Sequence, residues 1–135
     1  MKELILYHCR LCGNIICMVN DTGVIPECCG EPMSRLVAHT SDTGKEKHVP
    51  VIRKSSCGGD CGFRVFIGES PHPMNREHYI EWIALLTDRG LYVRMTRPED
   101  PPEAGFTVCL GEDVIAAYAF CNLHGLWMSE AAHEK

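Results

Sequence analysis

The sequence has no long apolar run and no basic cluster. Its apolar stretches are far shorter than the roughly 20 residues that cross a bilayer. The apolar stretch near the start of the chain is also too short for a signal peptide. Thirteen Lys and Arg stand against eighteen Asp and Glu, which gives a net charge of -5. We therefore expect a soluble, cytoplasmic protein that binds neither nucleic acid nor an anionic membrane.

Cysteine, by contrast, is abundant, with nine in 135 residues. In a reducing compartment clustered thiols are metal ligands more often than disulfides, and the odd number agrees with this. Residues 1–36 are rich in cysteine and poor in large apolar residues, so a bound metal would stabilise them better than a core. We predict a metal-binding mini-domain at 1–36, a polar linker at 37–47 and a larger domain at 48–135.

Four cysteines near the N-terminus form the first candidate site. Cys9 and Cys12 make a C-x-x-C-G knuckle, in which both sulfurs face one ion while backbone amides donate to them. Cys28 and Cys29 supply two more thiolates, unless this adjacent pair is accidental. Four thiolates make a closed tetrahedral site for structural zinc or an electron-transferring iron, and spacing does not choose between them. Cys17 is predicted to be a small buried side chain.

The larger domain is predicted to be all β. Short segments rich in β-branched and aromatic residues are mostly bounded by turn residues. One of them, 80–86, also fits a helical face, but its strand neighbours favour a strand. Their number indicates an antiparallel sandwich. The predicted strands are 49–52, 63–67, 80–86, 91–95, 106–110 and 114–120.

Four histidines and one cysteine form the second candidate site. Cys121 and His124 lie three residues apart before a glycine, a spacing that lets both reach one ion. His72 precedes a proline, and His78 lies at the entrance of a predicted strand. Any one of these histidines taken alone would be interpreted as a surface or hydrogen-bonded imidazole. The four histidines together with Cys121, however, predict a metal site. Four neutral imidazoles and one thiolate suit iron and leave one position open for a small ligand.

These motifs stand in a fixed order along the chain. With them, the chain resembles the desulfoferrodoxins, the two-iron form of superoxide reductase, over nearly its whole length. The motifs are Cys9-x-x-Cys12 with Cys28-Cys29, Glu46-Lys47-His48-Val49-Pro50, His72-Pro73-Met74, His78-Tyr79-Ile80-Glu81-Trp82-Ile83, and Cys121-Asn122-Leu123-His124-Gly125.

The resemblance implies a desulforedoxin-like domain with a rubredoxin-type iron, followed by an immunoglobulin-like β-sandwich. The second iron would have equatorial histidines and Cys121 as its axial ligand. The implied reaction is one-electron reduction of superoxide to hydrogen peroxide, with re-reduction by a rubredoxin-like or other electron donor. A homodimer and an oxygen-defence role in anaerobes are also implied. The implied equatorial ligands are His48, His72, His78 and His124.

Two charged residues precede His48. Because the whole chain is negative, a local cation has to attract superoxide to the mouth of the site, and Lys47 is the candidate. The resemblance implies that Glu46 binds the ferric ion once peroxide has left. The plainer alternative for both residues is a solvated charge pair.

Several residues fall outside the family pattern. Cys57 and Cys61 lie at a predicted hairpin turn, where they could form a reversible disulfide, a peroxide-sensitive thiol pair or a harmless loop. Cys109 is predicted to pack within a strand. Three further histidines are expected at the surface without an assigned function: His8, His39 and His133.

Two other functions stay open on the sequence alone. In the first, the protein only transfers electrons through both irons, and superoxide is incidental. In the second, it is a zinc-stabilised binding module, which is less favoured because four histidines and one cysteine are an unusual zinc set.

Overall fold

The computed structural model describes residues 3–41, 48–55, 61–68 and 71–132. The chain divides into two compact units, Met1–Val37 and Ala38–Lys135. Within the described ranges, no helix is long and apolar enough to cross a membrane.

The first unit consists of short strands around a very small core. The central strand β1 lies between β2 and β5, and β3 pairs with β4 as a separate hairpin. Its core holds the buried side chains of Tyr7, Cys9 and Met33, which is too little apolar area to stabilise the unit by itself. The strands are β1 (Leu6–His8), β2 (Ile15–Cys17), β3 (Glu27–Cys28), β4 (Glu31–Pro32) and β5 (Ser34–Arg35).

Cys17 is exposed, so the prediction that it is a small buried side chain is wrong. It is the last residue of β2, an edge strand that pairs with β1 on one side only among the described residues.

The second unit is a two-sheet antiparallel sandwich, which confirms the predicted fold class. One sheet has the order β10-β7-β6 and the other the order β12-β11-β8-β9. Seven strands in two packed sheets give the immunoglobulin-like architecture. The strands are β6 (Pro50–Lys54), β7 (Gly62–Ile67), β8 (Ile80–Thr87), β9 (Leu91–Met95), β10 (Glu103–Thr107), β11 (Val114–Cys121) and β12 (Gly125–Glu130).

The core of this unit lies between the sheets and follows the two-residue period of the strands. Val65 and Ile67 of β7 face Ile83 and Leu85 of β8, and all four are at most 1% exposed. The segment 80–86 is therefore a strand, as predicted, but Ile83 and Leu85 face this core rather than the alternating residues Trp82, Ala84 and Leu86.

The structure corrects the strand prediction at 106–110. Strand β10 ends at Thr107, and Cys109 follows in the turn before β11, where it is exposed and its backbone N–H donates to Glu112 at 3.1 Å. The prediction that Cys109 packs within a strand is thus wrong, because the backbone leaves the ladder to make this turn. Strand β12 was not predicted from the sequence.

Strand direction brings several motif residues to one end of the sandwich. Pro50 at the start of β6 pairs with Ile67 at the end of β7, and Cys121 at the end of β11 pairs with Ile80 at the start of β8. The residues just before β6 and β8, and those just after β7 and β11, therefore gather at this end.

Candidate metal centres

Four histidines and Cys121 meet at this end of the sandwich, and we call them the histidine site. His48 directly precedes β6, and His72 lies in the connection from β7 to β8; both are buried. His78 is half-buried two residues before β8. His124 is exposed in the turn between β11 and β12. Each of these histidines lies within a few residues of a strand end. The strands therefore fix the places of side chains that the loops alone would not fix.

A tight hairpin presents Cys121 and His124 together. Cys121 pairs with Gly125 across a three-residue loop, and Gly125 has φ of +83°, the left-handed conformation that such loops require at their last position. The hairpin places the Cys121 Sγ 3.8 Å from Nδ1 of His124. The predicted pairing of these two side chains is therefore present in the structure.

The four imidazoles form a square. Around it, the ring centroids of neighbours are 4.6 Å (His48 and His72), 4.6 Å (His72 and His78), 5.0 Å (His78 and His124) and 4.9 Å (His124 and His48) apart. Across the square, His48 and His78 are 6.3 Å apart. Neighbouring rings are edge-on, with interplanar angles from 62° to 81°. The ligand atoms of His48, His72 and His78 lie within 4.8 Å of one another, and the ring of His124 completes the square next to His48 and His78.

The Cys121 thiol completes the donor set. One ligand atom from each of His48, His72, His78 and Cys121 lies within 4.8 Å of the others. Cys121 is 0% exposed, at the end of a core strand. Because a buried thiolate needs a compensating charge, a cation at the centre of the histidines suits it. Borderline imidazole nitrogens with one soft sulfur fit iron.

Hydrogen bonding fixes the donor atom of His72. Its Nδ1 lies 2.6 Å from the carbonyl oxygen of Pro73, which can only accept, so Nδ1 carries the proton and Nε2 keeps its lone pair. Bonding of the second ring nitrogen to a backbone carbonyl is the usual way in which a metal-binding imidazole is oriented. The His72-Pro73 motif therefore supplies both the donor and its orientation.

Asn122 joins two parts of the site, and sequence reasoning gave it no role. Its side-chain oxygen accepts from the backbone N–H of Tyr79 at 2.9 Å, and its side-chain nitrogen donates to the carbonyl of Glu77 at 2.9 Å. These bonds hold the Cys121 hairpin against the loop that carries His78. The position of Asn122 within the Cys121–Gly125 motif was the signal that could have indicated this.

Trp127 is a second residue that sequence reasoning missed. Its ring stacks on His48, with 4.5 Å between centroids and 15° between planes, and its Nε1–H donates to the carbonyl of His124 at 3.2 Å. The imidazole of His39 lies against the same indole, with 4.7 Å between the two ring centroids. His39 is exposed, as expected, but it belongs to an aromatic stack rather than to open surface.

The four N-terminal cysteines also come together, and we call them the cysteine site. Their ligand atoms all lie within 4.8 Å of one another, so the alternative of an accidental pair at Cys28 and Cys29 does not apply. At the knuckle, the backbone N–H of Cys12 donates to Cys9 Sγ at 3.5 Å, and Gly13 turns the chain with φ of +85°.

A tight turn explains why Cys28 and Cys29 can be adjacent ligands. Cys28 pairs with Glu31, and the two residues between them, Cys29 and Gly30, have φ of +54° and +77°. Positive φ at both central positions is the signature of a type I′ hairpin turn. This turn directs both sulfurs to one side, 4.0 Å apart.

The pKa values of Cys9 and Cys29 in the cysteine site are shifted in opposite directions. Hydrogen bonds from the backbone N–H groups of Cys12 and Leu11 lower the pKa of Cys9 to about 6. Sharing of hydrogen bonds with Cys12, Cys9 and Cys28 raises the pKa of Cys29 to about 12. A metal ion is the group that allows all four to be thiolates at once.

Some predicted residues lie outside the described ranges. These are Glu46, Lys47, Cys57 and His133. Cys61 is half-buried directly before β7, in the hairpin that connects β6 and β7, and His8 is half-buried in β1.

Comparison with known proteins agrees with this pair of sites. The family model for desulfoferrodoxin matches residues 40–130, which include the four histidines and Cys121. The chain belongs to the desulfoferrodoxin family. The match begins after the cysteine site, which is instead covered by full-length relatives.

Among desulfoferrodoxins, that of Nitratidesulfovibrio vulgaris is 44% identical over 126 residues, covering 93% of this chain and 95% of its own. A superoxide reductase from Pyrococcus horikoshii is 32% identical and covers 76% of this chain and 100% of its own. The crystal structure of the superoxide reductase from Treponema pallidum superimposes with a TM-score of 0.80 at 29% identity, covering 96% of this chain and 100% of its own.

Proposed function

We propose that this desulfoferrodoxin is a superoxide reductase: superoxide takes up one electron and two protons at the histidine site and leaves as hydrogen peroxide. The observation that carries the proposal is the square of four imidazoles with the buried Cys121 thiol beside it. Five donors leave one position of a six-coordinate ion for a small anion. The relatives named as superoxide reductases support the same activity.

We propose that the histidine site holds iron, which would supply the single electron that superoxide takes up. His72 is oriented toward the centre by its bond to Pro73, and Cys121 is kept from water by complete burial. Neutral imidazoles and one thiolate leave a divalent ion with net positive charge, which favours the approach of an anion. The electron density donated by Cys121 favours release of the product as peroxide, as thiolate ligation alters oxygen chemistry at haem.

Two residues outside the described ranges keep their proposed roles. Lys47, which directly precedes the buried His48, would attract superoxide by a local field. Glu46 would bind the ferric ion after peroxide has left.

We further propose that the cysteine site holds an electron-transferring iron and that a rubredoxin-like protein re-reduces the protein. The homodimer is proposed on the family resemblance alone, and the cytoplasmic location on the short apolar stretches of the sequence.

Stopped-flow mixing of the reduced protein with superoxide tests the activity. We expect one peroxide for every superoxide consumed and no dioxygen. Cys121→Ser should lose the thiolate-to-ferric absorption band and most of the turnover, because a hydroxyl is a poor soft donor. Cys109→Ser, at an exposed cysteine far along the chain from the ligands, is the matched control and should keep both.

Two results would contradict the proposal. Superoxide that persists while both irons still exchange electrons with a rubredoxin would identify an electron-transfer protein. Colourless protein with zinc at both sites would identify a binding module.

A further inference from the structure

A continuous aromatic stack leads from the surface to the histidine site. The imidazole of His39 lies on the indole of Trp127 with 4.7 Å between centroids, and the same indole lies on His48 with 4.5 Å between centroids. His39 is exposed, whereas Trp127 is 7% exposed and His48 is 4% exposed. Three neighbouring rings, with 39° between the planes of His39 and Trp127 and 15° between those of Trp127 and His48, therefore connect solvent with a histidine of the site.

Backbone hydrogen bonds hold this stack in place. The N–H of His39 donates to the carbonyl of Leu126 at 2.8 Å, and the carbonyl of His39 accepts from the N–H of Met128 at 2.9 Å. These two bonds bind the segment around His39 to β12 on either side of Trp127. The indole N–H is in turn bound to the carbonyl of His124 at 3.2 Å. One indole thus contacts two histidines of the site and one residue of the surface.

We propose that the stack of His39, Trp127 and His48 is the route by which an electron reaches the histidine site from a donor protein docked at His39. The inference rests on the proposed function, since it requires an iron at that site. One electron leaves a one-electron iron–sulfur protein of the rubredoxin class, whose iron becomes ferric, and the ferric ion at the histidine site becomes ferrous. The electron transfer itself moves no proton, and the bond that Glu46 is proposed to make with the ferric ion would be released once the ion is ferrous.

The indole conducts the electron without being oxidised itself. Its π system, in contact with an imidazole at each end of the stack, provides the electronic coupling that a saturated side chain would not. His124 is also exposed and offers small reductants a direct approach to the site. The two routes are separable by experiment because only the stack passes through Trp127.

Three variants test the route. Trp127→Leu removes the π system, Trp127→Phe keeps a smaller ring without the N–H, and His39→Ala removes the surface end of the stack. Trp82→Leu is the matched control, because Trp82 stacks on Phe120, with 5.6 Å between centroids, whereas the stack to the site consists of His39, Trp127 and His48. Iron content and the visible spectrum of each ferric variant show whether the histidine site is intact.

The main measurement is the stopped-flow rate at which a reduced rubredoxin reduces the ferric protein, without superoxide. We expect the rate to fall by about tenfold or more in Trp127→Leu, by less in Trp127→Phe, and not at all in Trp82→Leu. The rate at which the ferrous protein reacts with superoxide should stay at the parental value in His39→Ala and Trp82→Leu. A residue that only positions His48 would instead change the spectrum and both half-reactions.

A second measurement needs no redox activity. Rubredoxin is added to isotopically labelled, zinc-loaded protein, and we expect amide shift changes at residues 38–41 and 126–128. His39→Ala should weaken this binding. If the spectrum of Trp127→Leu shows a damaged site, His39→Ala and Trp127→Phe carry the test. Parental reduction rates in these intact variants, or donor binding elsewhere, would overturn the proposal.

The two proposals fail in different ways. If the reduced protein does not react with superoxide, the proposed function is wrong, but the reduction of the ferric protein by rubredoxin still reports on the stack. If superoxide is reduced normally and Trp127→Leu accepts electrons at the parental rate, only the stack proposal is wrong.

Discussion

The side-chain oxygen of Asn122 accepts a hydrogen bond from the backbone N–H of Tyr79 at 2.9 Å, across 43 positions of sequence. This bond joins the hairpin of Cys121 to the loop of His78, the two segments that must stay together if one ion is to bind both. The asparagine next to Cys121 is therefore a positioning residue for the histidine site.

Replacement of Asn122 by alanine should weaken the histidine site. The variant loses its bonds to Tyr79 and Glu77, and we expect the free energy of unfolding to fall by about 1–3 kcal/mol. Iron content at the histidine site should fall as well, while the cysteine site stays loaded. Denaturant unfolding and iron analysis check this, with Asn20→Ala at an exposed asparagine as the control. Full iron content and parental stability in Asn122→Ala would show that the bond is dispensable.

Removal of metal should affect the two units unequally. Among its described residues the first unit has four buried apolar side chains, and binding of a metal to four thiolates contributes on the order of 10 kcal/mol. After chelation, amides of residues 3–37 should lose protection from hydrogen exchange, while β6 to β12 keep theirs. Cys29→Ser should behave like the chelated protein, and Cys17→Ser, at an exposed cysteine outside the site, should not. Protection that survives chelation would mean that the fold of this unit does not depend on metal.

A carboxylate at the turn between β10 and β11 makes stability depend on pH. Hydrogen bonds from the Thr87 hydroxyl, the Cys109 N–H and the Tyr92 hydroxyl lower the pKa of Glu112. A lowered folded-state pKa contributes stability that is present above the unfolded-state pKa and is lost as pH falls through the folded value. Tyr92→Phe should therefore be less stable than the parent at neutral pH, and this difference should shrink in acid.

Urea unfolding at several pH values checks this expectation. Glu112→Gln supplies the control, because its side chain cannot titrate and the effect of Tyr92→Phe in that background should not vary with pH. A difference between Tyr92→Phe and the parent that persists unchanged into acid would remove Glu112 from the explanation.

Lys47→Ile should slow the reaction with superoxide by about tenfold or more at low ionic strength and reduce its salt dependence. The iron spectrum should not change, because the residue attracts the anion and does not bind the metal. Lys54→Ile, at the far end of β6 from His48, is the control and should react at the parental rate. A parental rate in Lys47→Ile at low salt would remove Lys47 from the mechanism.

Much of the fold could be predicted because its strands alternate in the ordinary way. The strand predicted at 80–86 is confirmed by β8, although its core face holds Ile83 and Leu85 and not the alternating residues Trp82, Ala84 and Leu86. Strand β10 was predicted three residues too late because Val108 to Leu110 is apolar although the backbone has already turned. Strand β12 was missed because its first residues belong to a ligand motif, and a motif does not show where a ladder begins.

The ligands could be predicted, but their surroundings could not. Metal donors form recognisable motifs, since few residue types bind iron and short spacings bring them together. Trp127 becomes part of the histidine site because β12 places its indole on His48, and backbone bonds at His39 bring a distant segment to the same indole. Such contacts depend on tertiary packing and leave no local pattern in the sequence.

The most direct test of the central claim is iron X-ray absorption on a variant that keeps only the histidine site. Cys28→Ser with Cys29→Ser removes two of the four thiolates of the cysteine site, so the remaining iron reports on His48, His72, His78, His124 and Cys121. We predict one sulfur scatterer and four imidazole nitrogens around each iron. A spectrum without sulfur, or with two or more sulfurs and fewer imidazoles, would contradict the account.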